Sequence, residues 1–355
     1  LMKRGYKMGK QKRIEDYGVN IGSLPKGKLN KITDVKGVKV GHCTIDNQDN
    51  KTGVTVILPS ENNIFSNKYI AASFVLNGFG KTQGLVQIDE LGTLETPIAL
   101  TNTLNIGVVH DAITEYMINL CIKDQVEMGS VNPIIGECND SYLNNIQNRA
   151  VKKEHVFKAI EDACEDFDEG DVGGGKGMSC HNLKGGIGSA SRVIEAGGQE
   201  YTIGVLVQTN HGLLEDLTIN GKNIGKAIEE KLAIEKEPEK GSILIIIATD
   251  LPLSSRQLKR LCKRPAVGIA RAGSYIGHGS GDIIIGFSIA NVITDEDEII
   301  TMKVINENKV IDKAFRAVAE ACEEAVLNSM VTAGRVDGYK GHFRETLSKY
   351  IYDLL

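Results

Sequence analysis

The amino-acid sequence predicts a mixed α/β fold, and three observations support that prediction. From Ile32 onward, short apolar segments of strand length alternate with longer segments that have helical periodicity. The two most apolar segments, residues 243–248 and 283–290, have the length of buried strands. Of the 355 residues, 41 % are hydrophobic and 25 % are charged, which is enough apolar material for a large core.

In the first half of the chain, strands are predicted where β-branched residues cluster, and helices where apolar residues recur at helical spacing. The predicted strands cover residues 35–42, 53–58, 71–76 and 97–100. The predicted helices cover residues 111–123 and 155–165. Two further strands, 193–196 and 201–208, are separated by Gly197 and Gly198, which predict a hairpin turn.

The second half begins with a polar helix, predicted over residues 223–235, that runs into a strongly charged stretch. Eight of the thirteen residues from 229 to 241 are charged, which indicates an exposed loop. A strongly apolar strand is predicted directly after it, at 242–249. The remaining predicted elements are a helix at 252–263, a strand at 282–290, and helices at 310–330 and 343–355.

The composition excludes several classes of protein. The formal net charge of −5 argues against a nucleic-acid partner. No run of about 18 apolar residues is present, so neither a membrane-spanning helix nor a membrane partner is predicted. The seven cysteines are dispersed without CxxC pairs, which is typical of reduced thiols in a cytoplasmic protein. Residues 1–13 hold six basic residues and no acidic one, which indicates a solvated terminus.

The junction between Gly241 and Ser242 is the first chemical feature. A small residue precedes a hydroxyl residue, after a charged loop and before an apolar strand. A serine that becomes a new N-terminus carries its own base, because an α-amine titrates near 7.7–8.0 and a lysine only near 10.4. Such an amine can accept the hydroxyl proton at neutral pH. The sequence is compatible with cleavage here but does not demonstrate it.

A glycine-rich loop supplies the second feature. Four glycines lie between residues 272 and 282, immediately before a predicted buried strand. Ser280 and Asp282 are two residues apart, so their side chains face the same way if the strand begins there. The alternatives are a polar cluster that serves catalysis and ordinary turn and strand-capping chemistry.

No cofactor or metal site is predicted. The sequence contains no HExxH, no strand-associated GxGxxG and no GxSxG motif, and the near P-loop at 170–177 lacks the final Ser or Thr. Cys180-His181 is the only place where a histidine directly follows a cysteine, and the pair lacks partners at metal-ligand spacing.

Several segments in combination carry a family resemblance. They are residues 30–42, 77–78, 95–103, 107–112, 133–143, 173–181, 184–188, 208–212, 241–253 and the Gly-Ser-Gly-Asp run at 279–282. Across roughly residues 30–335, the chain resembles the L-aminopeptidase/D-esterase family, also called DmpA-type aminopeptidases, which include β-peptidyl aminopeptidases.

The resemblance implies a four-layer αββα sandwich similar to that of the N-terminal-nucleophile hydrolases. Residues 1–29 would form an N-terminal arm and 30–355 a single catalytic domain. Self-cleavage would divide the chain into a large chain, 1–241, and a small chain, 242–355. Ser242 would be the nucleophile and its freed amine the candidate base.

The resemblance also implies roles for other side chains. Ser280 and Asp282 match the family's helper pair, and Tyr142 and Asn210 match positions that stabilise the oxyanion. Their O–H and N–H groups are suitable donors for that task. Glu137 is a candidate to hold the free amine of the substrate, with a surface or turn acid as the alternative. His181 and His211 are expected to be structural.

The predicted function is therefore an autoprocessed serine aminopeptidase. It would release N-terminal residues from small peptides, amides or esters, without a metal or organic cofactor. The resemblance implies a homo-oligomer, a tetramer of processed heterodimers. The alternatives are an acyltransferase that resembles ornithine acetyltransferase, which cleaves before threonine, and an amide-oligomer hydrolase of the nylon-degrading kind, which would also use threonine. A third alternative is an unprocessed, non-catalytic binding or assembly protein on the same fold.

Overall fold

The structure is a computed structural model that describes residues 11–232, 241–294, 296 and 298–354. Outside the described residues lie most of the basic stretch at 1–13 and most of the charged stretch at 229–241. The predicted end of the helix, at 233–235, also lies outside them.

The first of two large sheets has four strands in the order β1-β2-β5-β6. All neighbours are antiparallel except β5 and β6, which are parallel. The strands are β1 (Lys39–Asp46), β2 (Lys51–Leu58), β5 (Ile98–Asn102) and β6 (Ile134–Cys138).

The second sheet has six strands in the order β4-β3-β14-β13-β10-β9. At its centre β13 is parallel to β14 and antiparallel to β10, so the end of β10 meets the beginnings of β13 and β14 at one edge. The strands are β3 (Asn67–Gly78), β4 (Thr93–Leu94), β9 (Gly186–Ala196), β10 (Gln199–Asn210), β13 (Ser242–Thr249) and β14 (Gly281–Thr294).

The other regular elements in the described part of the chain are short hairpins, eight α-helices and several 3₁₀ turns. The hairpins pair β7 (Ser179–Cys180) with β8 (Leu183–Lys184), β11 (Thr218–Ile219) with β12 (Lys222–Asn223), and β15 (Val336–Asp337) with β16 (Phe343–Arg344). The helices are α1 (Leu85–Leu91), α2 (Ile106–Lys123), α3 (Lys153–Glu161), α4 (Gly225–Leu232), α5 (Ser255–Cys262), α6 (Pro265–Arg271), α7 (Glu307–Val331) and α8 (Ser348–Leu354). None of these helices is long and apolar enough to cross a membrane.

Three clusters of buried side chains define four layers. One cluster joins α2 and α3 to the outer face of the first sheet. A second lies between the two sheets, with Leu100 from one and Leu244 from the other. The third joins α5, α6 and α7 to the outer face of the second sheet. The predicted αββα sandwich is therefore confirmed.

The contact between α7 and β9 shows why a glycine is required in that strand. A Cβ atom on Gly188 would collide with the carbonyl oxygen of Ala325 and lie 2.6 Å from the amide nitrogen of Ser329. The helix backbone therefore rests directly on the sheet, at a distance that only glycine permits.

Most predicted elements are present, β6, α1 and α6 were not predicted, and two of the differences in element bounds have a clear local cause. The strand predicted from residue 35 begins at Lys39, because Ile32–Asp34 forms a 3₁₀ turn in which the Asp34 carboxylate accepts the backbone N–H of Leu29. The C-terminal helix begins at Ser348 rather than 343, because Phe343–Arg344 pairs with Val336–Asp337 as a strand.

The described part of the N-terminal arm packs on the sandwich. Ile14 and Ile21 belong to the core cluster beneath α7. Arg13, expected to be solvated, is buried, and its Nε lies 2.8 Å from the carboxylate of Glu169. A buried ion pair satisfies both charges, which an isolated buried Arg could not do.

Candidate active site

A cleft of about 1040 Å³ opens at the edge where the two sheets end together. It is lined by the loops after β6 and β10, the start of β13, the glycine-rich loop and β16. Among the predicted site residues, the cleft brings together Ser242, Gly241, Asn210, Tyr142 and Glu137. Ser280 and Asp282 are buried close by and do not line it.

Ser242 is the first residue of β13, and its side chain lies against the peptide bond that precedes it. Its Oγ donates to the carbonyl oxygen of Gly241 at 2.7 Å. The same carbonyl accepts the backbone N–H of Gly281 at 3.2 Å. A side chain at position 241 would not fit, since its Cβ would lie 2.5 Å from the Cα of His211.

Asn210 is the last residue of β10. It lies directly opposite Ser242 of β13, with its side chain on the same face of the sheet. Its Oδ1 accepts the backbone N–H of Ser179 at 2.8 Å, and its Nδ2 donates to the carbonyl of Asn139 at 3.0 Å. An amide nitrogen carries two hydrogens. The orientation is therefore fixed by two bonds, and a second N–H can be donated into the cleft.

Tyr142 reaches the cleft from the loop after β6, and its ring is held by the C-terminal hairpin. The imidazole of His342 stacks on it at 4.5 Å between centroids, with 12° between the planes. The guanidinium carbon of Arg344 lies 3.6 Å from its ring centroid. His342 and Arg344 were missed by the sequence analysis, because their contact with Tyr142 spans about 200 residues.

Glu137 is a buried carboxylate on the wall of the cleft. It is 3 % exposed, one oxygen accepts the backbone N–H of Lys81 at 2.8 Å, and the other accepts the hydroxyl of Thr103. These two donors fix the plane of the carboxylate. The predicted alternative of a surface acid is thereby excluded.

Ser280 and Asp282 form a hydrogen-bonded pair, with the Ser280 Oγ 2.7 Å from Asp282 Oδ1. In the parallel register, Gly281 lies opposite Ser242 and Asp282 opposite Ile243. Since side chains alternate along a strand, Asp282 points to the face of the sheet opposite to the Ser242 hydroxyl. The pair therefore lies behind the backbone of Ser242, on the opposite face of the sheet from its hydroxyl.

Asn77 holds the glycine-rich loop that carries this pair. Its Nδ2 donates to the carbonyls of Gly277 at 3.1 Å and His278 at 3.2 Å, and also to that of Ser280. Asn77 belongs to one of the family-like segments, but nothing in the neighbouring sequence indicates the loop, 200 residues away, that it supports.

Two buried histidines and a cysteine lie beside the cleft. Burial lowers the pKa of His181 to about 4 and that of His211 to about 3, and raises that of the Cys180 thiol to about 12. All three groups are therefore uncharged at neutral pH. His211 also lines the cleft, next to Asn210.

The αββα sandwich with a cleft at the edge of its sheets defines the class, a variant of the Ntn hydrolase fold. The sequence profile of peptidase family S58 matches residues 30–344, and the chain belongs to that family.

The similar proteins agree with this assignment. The chain is 38 % identical over 349 residues to the β-peptidyl aminopeptidase BapA of Sphingosinicella xenopeptidilytica, covering 92 % of this chain and 86 % of the relative. It superposes on the PH0078 protein of Pyrococcus horikoshii OT3 with a TM-score of 0.91, at 48 % identity and with 97 % and 98 % of the two chains covered.

A third similar protein is the L-aminopeptidase D-Ala-esterase/amidase of Ochrobactrum anthropi. It superposes with a TM-score of 0.87 at 34 % identity, covering 94 % of this chain and 95 % of that one. It is described as a prototype of the serine aminopeptidases and a new variant of the Ntn hydrolase fold. The predictions of a hydrolase and of an aminopeptidase are confirmed by the family and these relatives.

Proposed function

We propose that the chain cuts itself between Gly241 and Ser242 and then works as a serine aminopeptidase with Ser242 as its nucleophile. The observation that carries this proposal is the position of the Ser242 Oγ. It lies 2.7 Å from the carbonyl oxygen of the preceding residue, at the start of a buried strand that opens into the cleft.

Self-cleavage would begin with attack of the Ser242 Oγ on the carbonyl carbon of Gly241. The carbonyl oxygen gains negative charge in this step, and the backbone N–H of Gly281 is already directed at it. Collapse of the intermediate breaks the peptide C–N bond, transfers the acyl group to Oγ and passes the hydroxyl proton to the leaving nitrogen, which becomes the free α-amine of Ser242. Water then hydrolyses the ester, which yields the fragments 1–241 and 242–355.

In turnover, the freed α-amine of Ser242 would take the proton from its own Oγ. The Ser280–Asp282 pair is suited to orient that amine rather than the hydroxyl. The backbone nitrogen of Ser242 lies in the plane of the sheet, within reach of both faces, whereas the pair lies behind the sheet. A hydroxyl that donates to a carboxylate can accept a hydrogen bond from an amine.

The substrate carbonyl would develop its negative charge beside the amide of Asn210 and the hydroxyl of Tyr142. Two donors aimed at the developing negative charge would stabilise the transition state more than the ground state. Glu137 would accept the protonated N-terminal amine of the substrate, in a charge-assisted hydrogen bond. That contact would restrict cleavage to the first residue of the substrate.

The proposed substrates are small peptides, amides and esters with a free amine. A cleft of about 1040 Å³ suits a short peptide rather than a folded chain. Because a relative at 38 % identity is named a β-peptidyl aminopeptidase, peptides with an N-terminal β-residue are the first class to test.

The proposed setting is a homotetramer of processed heterodimers in the cytoplasm. All seven cysteines are unpaired thiols, which fits a reducing compartment. Size-exclusion chromatography with light scattering would measure the assembly, and a monomeric processed heterodimer would contradict it.

Intact-mass spectrometry with N-terminal sequencing tests the mechanism. Wild-type protein is expected to give two fragments, the smaller beginning Ser-Ile-Leu-Ile, and to hydrolyse amino-acid p-nitroanilides. Ser242→Ala removes the nucleophile and is expected to remain a single uncut chain without activity. Ser141→Ala, an exposed serine on the same cleft, is the matched control and should be processed and active. A processed or active Ser242→Ala protein would contradict the proposal.

A further inference from the structure

We propose that Cys180, His181 and His211 form a binding site for one zinc-class divalent cation, adjacent to the cleft and independent of the proposed nucleophile. One ligand atom from each residue lies within 4.8 Å of the other two, and all three residues are buried. The third ligand comes from 30 residues along the chain, which explains why sequence spacing did not indicate a metal.

His181 has the hydrogen bonding of a metal-ligating imidazole. Its Nδ1 lies 2.8 Å from the carbonyl oxygen of Leu213, which can only accept, so Nδ1 carries the hydrogen. Nε2 of this neutral ring is then an unprotonated lone pair. It is buried and has no hydrogen-bond partner among the described residues. In metal sites, the second ring nitrogen of a histidine ligand is usually bonded to a carbonyl or carboxylate in this way.

His211 also has a buried ring nitrogen that lacks a hydrogen-bond partner among the described residues. This nitrogen is Nε2, while Nδ1 lies 3.9 Å from the Cys180 Sγ. Leaving two buried ring nitrogens unpaired is costly, about 1–3 kcal/mol for each group. A cation held by these residues would supply the partner that the buried Nε2 of His181 lacks among the described residues.

The backbone holds the three residues in position without the ion. His181 and Asn182 form the turn of the β7–β8 hairpin with φ of 48° and 56°, left-handed values that His and Asn adopt more readily than most other residues. The N–H of His181 donates to the carbonyl of His211 at 2.8 Å. Gly212 allows the imidazole of His181 to pack on its Cα, since a Cβ there would lie 2.5 Å from the ring.

The donor set selects the kind of ion. One thiolate and two imidazoles suit Zn²⁺, with Co²⁺ as a spectroscopic substitute, and disfavour Mg²⁺ and Ca²⁺, which prefer oxygen ligands. Binding replaces the thiol hydrogen by the metal and releases one proton to solvent. Three protein ligands leave a fourth coordination position for water. Because His211 lines the cleft, the ion would enter the site from the cleft.

Titration of chelator-treated full-length protein with Co²⁺ tests the site. The expected result is one equivalent per chain, with the near-ultraviolet charge-transfer band of a thiolate–Co²⁺ bond, and displacement of that band by Zn²⁺. Cys180→Ser is expected to lose the band, and His211→Gln to weaken Co²⁺ binding at least about tenfold. Cys322→Ser, a buried cysteine in α7, is the matched control and should keep the band.

The proposal is overturned if the wild-type protein gives no band, or if the band survives in Cys180→Ser. If that variant does not fold, X-ray absorption of zinc-loaded wild-type protein decides instead. One sulfur ligand at about 2.3 Å with nitrogen ligands at about 2.0 Å is expected, and a shell without sulfur contradicts the site. Ser242→Ala should still bind Co²⁺, so failure of the peptidase mechanism and failure of the metal site are distinguishable.

Discussion

Asn210 combines a structural and a proposed catalytic role in one amide. Two of its hydrogen bonds orient it, and its second N–H is the one proposed to stabilise the oxyanion beside Ser242. Gly241 is just as constrained, since any side chain there would strike the backbone of His211. In both cases, neighbouring residues that take no part in the chemistry determine where the group that would react lies.

Asn210→Ala is expected to lower kcat by about 10²–10³, because one oxyanion donor is lost. Steady-state kinetics on a p-nitroanilide would measure the change, and KM should change little, since the amide acts mainly in the transition state. Asn139→Ala keeps the carbonyl that Asn210 contacts and is the matched control. An unchanged kcat in Asn210→Ala would remove this residue from the oxyanion site.

Glu137→Gln is expected to lower kcat/KM about 10- to 100-fold for substrates with a free amine. The change keeps an acceptor for the N–H of Lys81 and leaves the Thr103 hydroxyl able to accept, but it removes the charge that pairs with an ammonium group. Glu127→Gln, on an exposed loop, serves as the control. Equal kcat/KM in wild type and Glu137→Gln would contradict the amine-binding role.

At the scale of elements, α7 is the long helix that covers the second sheet, and its distance from β9 is set by Gly188. The apolar face of α7 buries Ala314, Ala317, Val318 and Ala321, small residues that allow close packing. The sequence predicted the helix and its apolar face well, because both follow from a repeat near 3.6 residues.

Gly188→Ala is expected to reduce the free energy of unfolding by about 1–3 kcal/mol, because α7 must move away from β9. Denaturant titration of the uncut Ser242→Ala protein would measure it on a single chain. Gly107→Ala in α2 is the matched control, since a Cβ there meets nothing within 4 Å. That control should be neutral or stabilising by up to about 1 kcal/mol. Equal effects of the two changes would refute the close-approach argument.

At the scale of the whole molecule, the two proposed fragments share one core. β13 and β14 would belong to the small chain, and they lie between β10 and β3 of the large chain in a continuous sheet. Breaking the bond before Ser242 interrupts no strand pairing, because β13 begins at that residue. The fragments would therefore be held together by the same hydrogen bonds and buried side chains as the uncut chain.

Lys184 makes stability depend on pH. It is fully buried, its Nζ donates to the carbonyls of Gly175, Met178 and Gly185, and desolvation lowers its pKa to about 7. Between about pH 7 and 10.5 the unfolded chain therefore binds more protons at this site than the folded chain does. The free energy of unfolding should rise with pH across that window.

Lys184→Met is expected to be less stable at every pH, because three carbonyls lose their donor, and to show a smaller rise between pH 7 and 10. Denaturant titrations of the Ser242→Ala protein at several pH values would measure both effects. Lys36→Met, at an exposed lysine, should leave the rise as it is. A Lys184→Met protein with the same pH dependence as its parent would rule out Lys184 as the source.

The sequence by itself determined the α/β class, most of the elements and the family, since strands, helices and the Gly197-Gly198 turn depend on neighbouring residues. Only the tertiary structure decided which distant residues meet. It placed the Ser280–Asp282 pair behind the sheet, His342 and Arg344 against Tyr142, and His211 beside Cys180 and His181. Such contacts arise when packed layers bring distant segments together, and no local periodicity along the chain records them.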